Sequence, residues 1–365
     1  MPAGNGAAAP PTSPSSLRHR LALPVPGQPI STREFSMDRR NFLLTAGTLA
    51  AAIVARGATA ARFAADHADG AGGPPPAGET GVAAFAAERR FAHLPQGRIA
   101  YVDRGRGAAA LFLHGFPLNG YQWRGALDRL SMHRRCIVPD VMGLGYSEPG
   151  PGQDLRAPAQ ARMIVSLLDR LDIGSVDLVA NDSGCAIAQL LLARHGQRVR
   201  SALLTNGDTE PDCPPQAVLG VIEAAKAGTF ADSFKPCLDD KDLCRRPGQL
   251  GGDTFTFPGR LRDDTIDMYL APLAAHPARS NAYGRAAEGN PLAGISTALR
   301  RVKAPVRIVW GTGDTIFKPD MPDYLDRLFP NSRGVLRVPG AKLFFPEEFP
   351  DLIAGELRTL WGVDG

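Results

Sequence analysis

The segment from Val176 to His195 constrains the fold of this chain most, because a short apolar run there changes directly into a helical pattern. Residues 176–181 are mainly apolar and compatible with a buried strand. From Gly184 onward the apolar residues take helical spacing, and His195 followed by a glycine marks the end of that helix. A strand that turns this sharply into a helix presents one side chain at the edge of a sheet, as in a nucleophile elbow.

Two registers fit the pattern of such an elbow, which has small residues two positions before and after the nucleophile. In the first register Asp182 is central, and Ala180 and Gly184 are the small residues. In the second register Ser183 is central, and larger residues flank it. We favour Asp182, because helix and strand approach closely only where the flanking side chains are small. The stretch also fits a plain turn in which Asp182 caps the helix.

Composition limits the class of protein. The chain has 365 residues, 44% of them hydrophobic, which suffices for one large core or for a core with a lid. The formal charge is only +4, and the residues before Gly81 supply about half of it, with seven arginines and five acidic residues. The nearly neutral remainder argues against nucleic acid or an anionic membrane as the main partner.

The first 85 residues are predicted to lie outside the folded domain. Residues 1–36 are rich in Ala, Pro, Gly and Ser without periodicity and are expected to be disordered. Residues 37–60 resemble a twin-arginine export signal, because Arg39 and Arg40 precede an apolar run and a small-residue triplet; a single amphipathic anchor helix is the alternative. Residues 61–85 are interpreted as a linker. We therefore expect a periplasmic or extracellular protein that meets the export machinery.

Export would place the five cysteines in a compartment that permits disulfides. Cys136 and Cys185 fall in predicted core elements and are expected to be packed thiols. Cys213, Cys237 and Cys244 share one loop-rich region, where one bridge could form among them. No spacing resembles a zinc site, so we predict neither a metal nor a cofactor.

Strands alternate with helices beyond residue 86. The strand segments are continuous apolar runs, which are typical of a parallel sheet covered on both faces. We divide this part into residues 86–208 as the first part of a core domain, 209–304 as a lid, and 305–365 as the second part of the core. Ligands of such sheets bind at the carboxyl ends of the strands. The predicted elbow, His114 and Asp314 all follow strands in this way.

Four motifs together resemble the α/β-hydrolases. They are the HGFP sequence at His114–Pro117, the glycine-rich turn at Asp140–Ser147, the elbow at Asp182, and the turn at Trp310–Asp314. The combination is most similar to the branch of haloalkane dehalogenases and epoxide hydrolases that uses an aspartate nucleophile. The resemblance covers residues 91–361, and it implies a mostly parallel central sheet with helices on both faces and a helical lid.

The resemblance implies a role for the residues around the elbow. Asp182 would attack a carbon that bears a leaving group and form an ester. The backbone N–H groups of Phe116 and Ser183 would form the oxyanion hole that stabilises the hydrolysis of that ester. His114 and Gly115 belong to the loop that carries Phe116, and we expect His114 to support this loop rather than to transfer protons.

The catalytic histidine of this family has no counterpart at its expected position. The acid that orients it would follow a late strand, as Asp314 does, and Asp208 after the preceding core strand is a second candidate. In the loop after the last strand Leu343 occupies the place of the histidine, and no histidine follows His276. This departure puts turnover in doubt. Possible substitutes are Glu347, Glu348, His276 and a desolvated Lys342, although both glutamates also fit the exposed start of the last helix.

The lid is expected to determine the substrate. Halide-binding members of the family use tryptophans near the elbow or in the lid, whereas Trp123, Trp310 and Trp361 are all predicted to lie in the core. Epoxide-opening members use two lid tyrosines as acids, and Tyr269 and Tyr283 are the tyrosines of this lid; ordinary packing is the alternative for both. Six phenylalanines suggest an apolar pocket: Phe230, Phe234, Phe255, Phe257, Phe344 and Phe345.

Three functions are compatible with these observations. The first is a hydrolase that uses Asp182 on a small apolar electrophile, by halide displacement or epoxide opening. The second is a serine esterase that uses Ser183. The third is a ligand-binding protein that keeps the fold and the pocket without catalysis. In each case the expected partner is a small apolar molecule rather than nucleic acid, and the protein is expected to be a monomer or a dimer.

Overall fold

A computed structural model of the chain describes residues 79–363, which form a nine-stranded sheet with helices packed around it. The predicted N-terminal extension, the predicted export signal at residues 37–60 and most of the predicted linker lie outside the described residues. The strands are β1 (Arg90–Leu94), β2 (Gly97–Arg104), β3 (Ala109–Leu113), β4 (Arg135–Pro139), β5 (Glu148–Pro149), β6 (Val176–Asp182), β7 (Val199–Gly207), β8 (Val306–Gly311) and β9 (Ser332–Val338).

The sheet is mostly parallel, as the apolar runs predict. Its strand order is β1-β2-β4-β3-β6-β7-β8-β9, and β5 pairs with β2. The strands from β4 to β9 in this order pair in parallel, whereas β2 is antiparallel to β1, β4 and β5. Strands β3, β6 and β8 and the middle of β7 are fully buried, which explains why their sequences are continuous apolar runs rather than alternating ones.

Fourteen α-helices accompany the strands within the described residues. They are α1 (Val82–Glu88), α2 (Arg124–Leu130), α3 (Ala157–Arg170), α4 (Ser183–Arg194), α5 (Leu219–Ala227), α6 (Lys235–Asp239), α7 (Lys241–Arg245), α8 (Leu250–Thr254), α9 (Asp263–Ala275), α10 (Pro277–Ala286), α11 (Ser296–Leu299), α12 (Met321–Leu328), α13 (Phe345–Glu348) and α14 (Pro350–Trp361). No helix in this part of the chain is both long and apolar enough to cross a membrane.

The direction of the chain through the sheet changes between β3 and β6. From β3 the chain crosses through α2 to β4 on one side, whereas from β6 it crosses through α4 to β7 on the other. Right-handed crossovers therefore place α2 and α4 on opposite faces. In agreement, α2 packs against α14 and α4 packs against α3. In a sheet of this kind the carboxyl ends of β3 and β6 border the crevice where ligands bind.

The lid lies between β7 and β8. Helices α5 to α11 occupy this stretch, and α9 (Asp263–Ala275) is the longest of them. Helix α10 packs against α5, and both α9 and α10 contact the short 3₁₀-helix Phe230–Phe234. The helices of the predicted lid therefore pack mainly against one another, and some of its residues, such as Tyr283, border the crevice.

The predicted boundary of the linker needs correction. Residues 79–85, which were assigned to the linker, belong to the ordered domain. Helix α1 begins at Val82, and Phe85 on it is buried with its ring edge-on to Tyr121 at 5.3 Å between centroids. Thr80 binds Asp128 through both its backbone N–H and its hydroxyl. The sequence did not indicate that the domain begins here, because the contacts that order these residues come from residues more than 40 positions away.

The cysteines are free thiols in this structure, without the bridge that the loop-rich spacing suggests. Cys136 and Cys185 are buried in core elements, as predicted. Cys237 and Cys244 lie close enough for a hydrogen bond between their thiols. Cys213 lies apart from them at a cavity described below.

Candidate active site

The elbow at the end of β6 has the backbone that a strained turn requires. Asp182 has φ 53° and ψ −129°, a conformation that residues other than glycine rarely adopt. Ser183 follows as the first residue of α4. Gly184 is necessary here, since a Cβ on it would lie 2.7 Å from the carbonyl oxygen of Leu113. The structure therefore places Asp182, rather than Ser183, at the centre of the turn.

The carboxyl group of Asp182 lies against the loop that follows β3. Its Oδ2 accepts a hydrogen bond of 2.7 Å from the backbone N–H of Phe116. The N–H of Ser183 also donates to this carboxyl. Gly115 permits the close approach, because a Cβ there would lie 2.6 Å from the Cβ of Asp182. Two main-chain N–H groups thus donate to the carboxyl group of Asp182, at the carboxyl ends of β3 and β6.

His114 stabilises this loop through hydrogen bonds to backbone groups. It is fully buried, and its Nδ1 lies 2.9 Å from the carbonyl oxygen of Gly115. Its Nε2 accepts the N–H of Val141 at 3.0 Å, which leaves the ring neutral with its proton on Nδ1. Burial accordingly lowers the pKa of His114. Because both ring nitrogens are hydrogen-bonded to backbone groups, neither nitrogen is available to exchange a proton with a substrate.

The pKa of Asp182 reflects opposing influences of burial, neighbouring carboxyl groups and main-chain donors. Burial raises the pKa of Asp182 well above its ordinary value, and the nearby carboxyls of Asp208 and Asp314 raise it further. The N–H groups of Phe116 and Ser183 act in the opposite direction. The carboxyl is nevertheless accessible from one side, since the residue is 7% exposed and borders a cavity.

The cavity above the elbow is small and mainly apolar, with a volume of about 80 Å³. Drug-sized ligands occupy pockets of about 300–1,000 Å³, so this space suits a much smaller molecule. Its polar lining within the described residues includes Asp182, Ser183, Asp208, Cys213 and Tyr283, and no lysine, arginine or histidine lines it.

The two acids predicted as partners of a histidine have different surroundings. Asp314 accepts hydrogen bonds from Asn206 at 2.7 Å and from the N–H of Ile316 at 2.8 Å, and it does not line the cavity. Asp208 lines the cavity, and its own backbone N–H lies 3.3 Å from the carbonyl oxygen of Asp182. Burial raises the pKa of Asp208 to about 7, although the thiol of Cys213 donates to its carboxyl.

The two lid tyrosines are not brought together. Tyr283 lines the cavity, stacks on Phe116 with ring centroids 5.5 Å apart, and places its hydroxyl 3.5 Å from Ser183 Oγ. Burial raises the pKa of Tyr283, so the hydroxyl keeps its proton. Tyr269 is buried elsewhere, and its hydroxyl donates to Glu347 at 2.7 Å. The expectation of a tyrosine pair at one site is therefore wrong, because Tyr269 serves a buried polar cluster.

The position of the missing histidine is filled by packing. Leu343 is 3% exposed, and its carbonyl oxygen accepts a hydrogen bond of 3.0 Å from Asn181, the residue before Asp182. The loop after the last strand therefore reaches the elbow, but it brings an apolar side chain there. The neighbouring Phe344 ring lies near Gly115, since a Cβ on that glycine would be 2.9 Å from it.

None of the four substitutes for the histidine lines the cavity. Glu347 is buried and paired with Arg124 at 2.7 Å, and Lys342 donates to the carbonyl of Gly252. His276 is exposed at the end of α9.

Glu348 accepts the backbone N–H groups of Thr256 and Phe257 from the lid, and burial raises its pKa to about 7. The expectation that both glutamates are exposed at the start of the last helix is wrong. They lie in the short helix α13 before it, where lid and core contacts hold them.

The large aromatic residues also differ from expectation. None of the six phenylalanines proposed as pocket residues lines this cavity; several instead pair with other rings, as Phe255 does with Phe344 at 5.4 Å. Trp123 and Trp310 are buried in the core as predicted, whereas Trp361 on the last helix is only half-buried, under the guanidinium of Arg134.

A polar network beside the elbow was missed in the sequence. Asn181 accepts from Gln122 at 2.6 Å and donates to Leu343, and Gln122 in turn accepts the N–H of Gly115. The network joins the ends of β3 and β6 to the last loop. The one local signal was a polar residue, Asn181, at the end of an otherwise apolar strand. Within the described residues, no group of three or more His, Cys, Asp or Glu side chains could hold a metal ion.

Comparison with known proteins agrees with this architecture. Residues 110–236 match the family model of the alpha/beta hydrolase fold. A solved structure of the epoxide hydrolase CorEH superimposes with a TM-score of 0.63 over 75% of this chain and 98% of that one, at 20% identity, a level that shows the fold alone. The chain thus has the α/β-hydrolase fold, with a mostly parallel sheet and helices around it.

The relatives found by sequence comparison include haloalkane dehalogenases. Haloalkane dehalogenase 2 of Mycobacterium tuberculosis is 27% identical over 284 residues, which cover 75% of this chain and 95% of the relative. A haloalkane dehalogenase of Mesorhizobium japonicum is 42% identical over 102 residues, 28% of this chain and 33% of the relative. Haloalkane dehalogenases are therefore among the homologues of this protein.

Proposed function

We propose that this protein is a hydrolase in which Asp182 attacks the electrophilic carbon of a small apolar substrate. The observation that carries the proposal is the geometry of Asp182, which combines a positive φ at a strand-to-helix turn with a carboxyl group that faces a cavity. In the reaction the carboxylate oxygen forms a bond to carbon while the bond to the leaving group breaks. The homology to haloalkane dehalogenases supports the same reaction class.

The main-chain donors suit both halves of this reaction. The N–H groups of Phe116 and Ser183 hold the free carboxylate in position for attack. After alkylation the same donors would bind the carbonyl oxygen of the ester, where negative charge develops when water attacks. Since these donors are backbone groups at the ends of β3 and β6, they need no rearrangement between the steps.

The residues that line the cavity suit epoxide opening better than displacement of a halide. Halide-binding members of the family that this chain resembles use tryptophans, and within the described residues no tryptophan lines the cavity. A ring-opening epoxide instead needs an acid that protonates the alkoxide, and the Tyr283 hydroxyl lies in the cavity next to Ser183. We therefore propose a small epoxide as the preferred substrate and a haloalkane as the second.

Mass spectrometry of the intact protein tests the proposal. Incubation with panels of small 1,2-epoxides and haloalkanes should add the mass of one substrate to the peptide that contains Asp182, or should release diol or alcohol. Asp182→Asn should abolish both results. Ser183→Ala is the matched control, because this neighbour lines the same cavity and should leave adduct formation intact. Absence of adduct and of product with every compound would refute the proposal.

A second function is favoured by one observation, namely that no histidine or other basic side chain from residues 79–363 lines the cavity. Such a site could bind a small apolar molecule without turning it over. In that case Asp182→Asn would leave the affinity for the ligand unchanged, as measured by calorimetry. The serine esterase interpretation has less support, because Ser183 is the first helical residue rather than the centre of the turn; labelling of Ser183 by a fluorophosphonate would revive it.

We also propose that the protein is exported through its N-terminal signal. The proposal rests on the paired arginines before an apolar run at residues 37–60. Replacement of Arg39 and Arg40 by lysine should retain a reporter fusion inside the cell, whereas the native leader should export it. Equal export of both fusions would contradict the twin-arginine route.

A further inference from the structure

We propose that Asp208 is the general base that activates water for hydrolysis of the ester on Asp182, in the role that a histidine would otherwise take. This inference rests on the proposed function, since it requires that Asp182 carries an ester.

Asp208 lies next to the nucleophile because β7 pairs with β6. In the register of the two strands Asp182 is opposite Gly207, and the following residue, Asp208, donates its backbone N–H to the carbonyl oxygen of Asp182. Its backbone carbonyl is held by Gln189 Nε2 at 2.7 Å. Apart from Asp182 itself, Asp208 is the one carboxyl group that lines the cavity within the described residues.

The other acidic side chains near the elbow are held by hydrogen bonds or an ion pair. Asp314 is held by Asn206 and by a backbone N–H, and Glu347 is paired with Arg124 and Tyr269.

Lys318 binds Asp212, which lies four residues after Asp208, through both its backbone N–H and its ammonium group. In the part of the chain that the structure describes, Asp208 therefore has no ion pair, and its side-chain partner is the weak thiol donor of Cys213.

A carboxyl in this setting can take up and return a proton near neutral pH. Burial raises its pKa to about 7, which is close to the value that suits a general base at that pH. The titratable groups that face it come from three elements: Asp182 and Cys185 from the elbow, Asp212 and Cys213 from the loop after β7, and Tyr283 from the lid.

The proposed step balances as follows. A water molecule attacks the carbonyl carbon of the Asp182 ester and gives one proton to the Asp208 carboxylate. The resulting oxyanion is bound by the N–H groups of Phe116 and Ser183. When it collapses, the bond from the carbonyl carbon to the alcohol oxygen breaks, and that oxygen takes the proton from Asp208. Asp182 returns as a carboxylate, and the second proton of the water restores the Tyr283 hydroxyl after epoxide opening or leaves with the halide.

Single-turnover mass spectrometry separates this step from formation of the ester. With a substrate that alkylates Asp182, Asp208→Asn should form the ester at least as fast as the native protein, since the Asp208 carboxyl raises the pKa of Asp182. Hydrolysis of the ester should then slow by about 10²–10⁴-fold, so that the adduct accumulates. Asp320→Asn, a change at an exposed aspartate that does not line the cavity, is the control and should hydrolyse the ester at a rate close to that of the native protein.

The pH profile distinguishes a base from a merely structural residue. In the native protein the rate of ester hydrolysis should rise with pH and level off above about pH 7. The profile should be flat in Asp208→Asn, and Asp208→Glu should restore both the pH dependence and part of the rate.

Three results would overturn the inference. They are native hydrolysis rates in Asp208→Asn, an unchanged pH profile in that variant, or loss of ester formation in Asp208→Asn alone while circular dichroism shows it folded. Absence of ester in every protein, including the native one, would instead reject the proposed function together with this inference.

Discussion

Replacement of Asp208 by asparagine should make the folded protein more stable at neutral and alkaline pH. The unfolded chain releases the Asp208 proton near pH 3.8, whereas the folded protein keeps it to about pH 7. Between these values the folded state binds more protons, so its free energy of unfolding falls as the pH rises. Asparagine has nearly the same shape and no charge, and it removes this loss.

The magnitude follows from the burial of the carboxyl group. Each pKa unit corresponds to about 1.4 kcal/mol, so the change from 3.8 to about 7 corresponds to about 4 kcal/mol. The residue is 8% exposed, so solvent screens this cost little. Removal of Asp208 also lifts its repulsion from Asp182, which adds to the difference with the same sign. Glu348, whose pKa is also raised to about 7, contributes equally to both proteins and cancels.

Urea unfolding followed by tryptophan fluorescence measures this difference between pH 4.5 and 8.5. About 1 kcal/mol of this cost is already present at pH 4.5, so the advantage of Asp208→Asn over the native protein should grow across this range by about 3 kcal/mol. Asp320→Asn, a change at an exposed aspartate, is the control for loss of one carboxyl group and should stabilise the protein at pH 8.5 much less than Asp208→Asn does. An advantage of Asp208→Asn that stays constant with pH, or that shrinks as the pH rises, would refute the reasoning.

Three further substitutions test other parts of the site. Gly115→Ala should reduce the rate of ester formation by about 10²–10³-fold, measured by rapid quench, because the new Cβ collides with Asp182 and displaces the Phe116 N–H. Tyr283→Phe should slow epoxide opening by about 10²–10⁴-fold while leaving haloalkane displacement unchanged, as measured by product release. Leu343→His should restore ester hydrolysis in a protein that lacks Asp208, by up to about 10²-fold in single-turnover mass spectrometry.

Each of these expectations has a clear contrary outcome. An unchanged rate in Gly115→Ala would mean that the loop relaxes without loss of the oxyanion hole. Equal losses on both classes of substrate in Tyr283→Phe would assign the hydroxyl to packing rather than to proton donation. No gain with Leu343→His would mean that the last loop does not direct that side chain to the ester.

Much of the fold was predictable because it depends on local patterns. The strands are continuous apolar runs, and the one predicted at residues 176–181 agrees with the structure to within one residue. The elbow was recognisable because a turn that forces a positive φ on Asp182 needs small neighbours, and Gly184 meets that need within two positions. These requirements act over a few residues and can therefore be read from the chain.

Two of the predictions that failed concern partners that are distant in sequence. Glu347 looked like an exposed helix start, but Arg124, 223 residues away, pairs with it in the core. Tyr269 and Tyr283 looked like a pair because both are lid tyrosines, yet only Tyr283 faces the cavity. The spacing of residues along a lid does not determine which side of each helix meets the core.

The sequence by itself determined the α/β architecture, the strained turn at Asp182 and the lack of a histidine in the last loop, since each is a property of short stretches. Only the tertiary structure decided which carboxyl group shares the cavity with Asp182. Asp208 lies there because β7 pairs with β6, whereas Asp314, two strands away in the sheet, is bound by Asn206. Hydrogen bonding between strands and packing of the lid set that choice, and neither leaves a local signal in the chain.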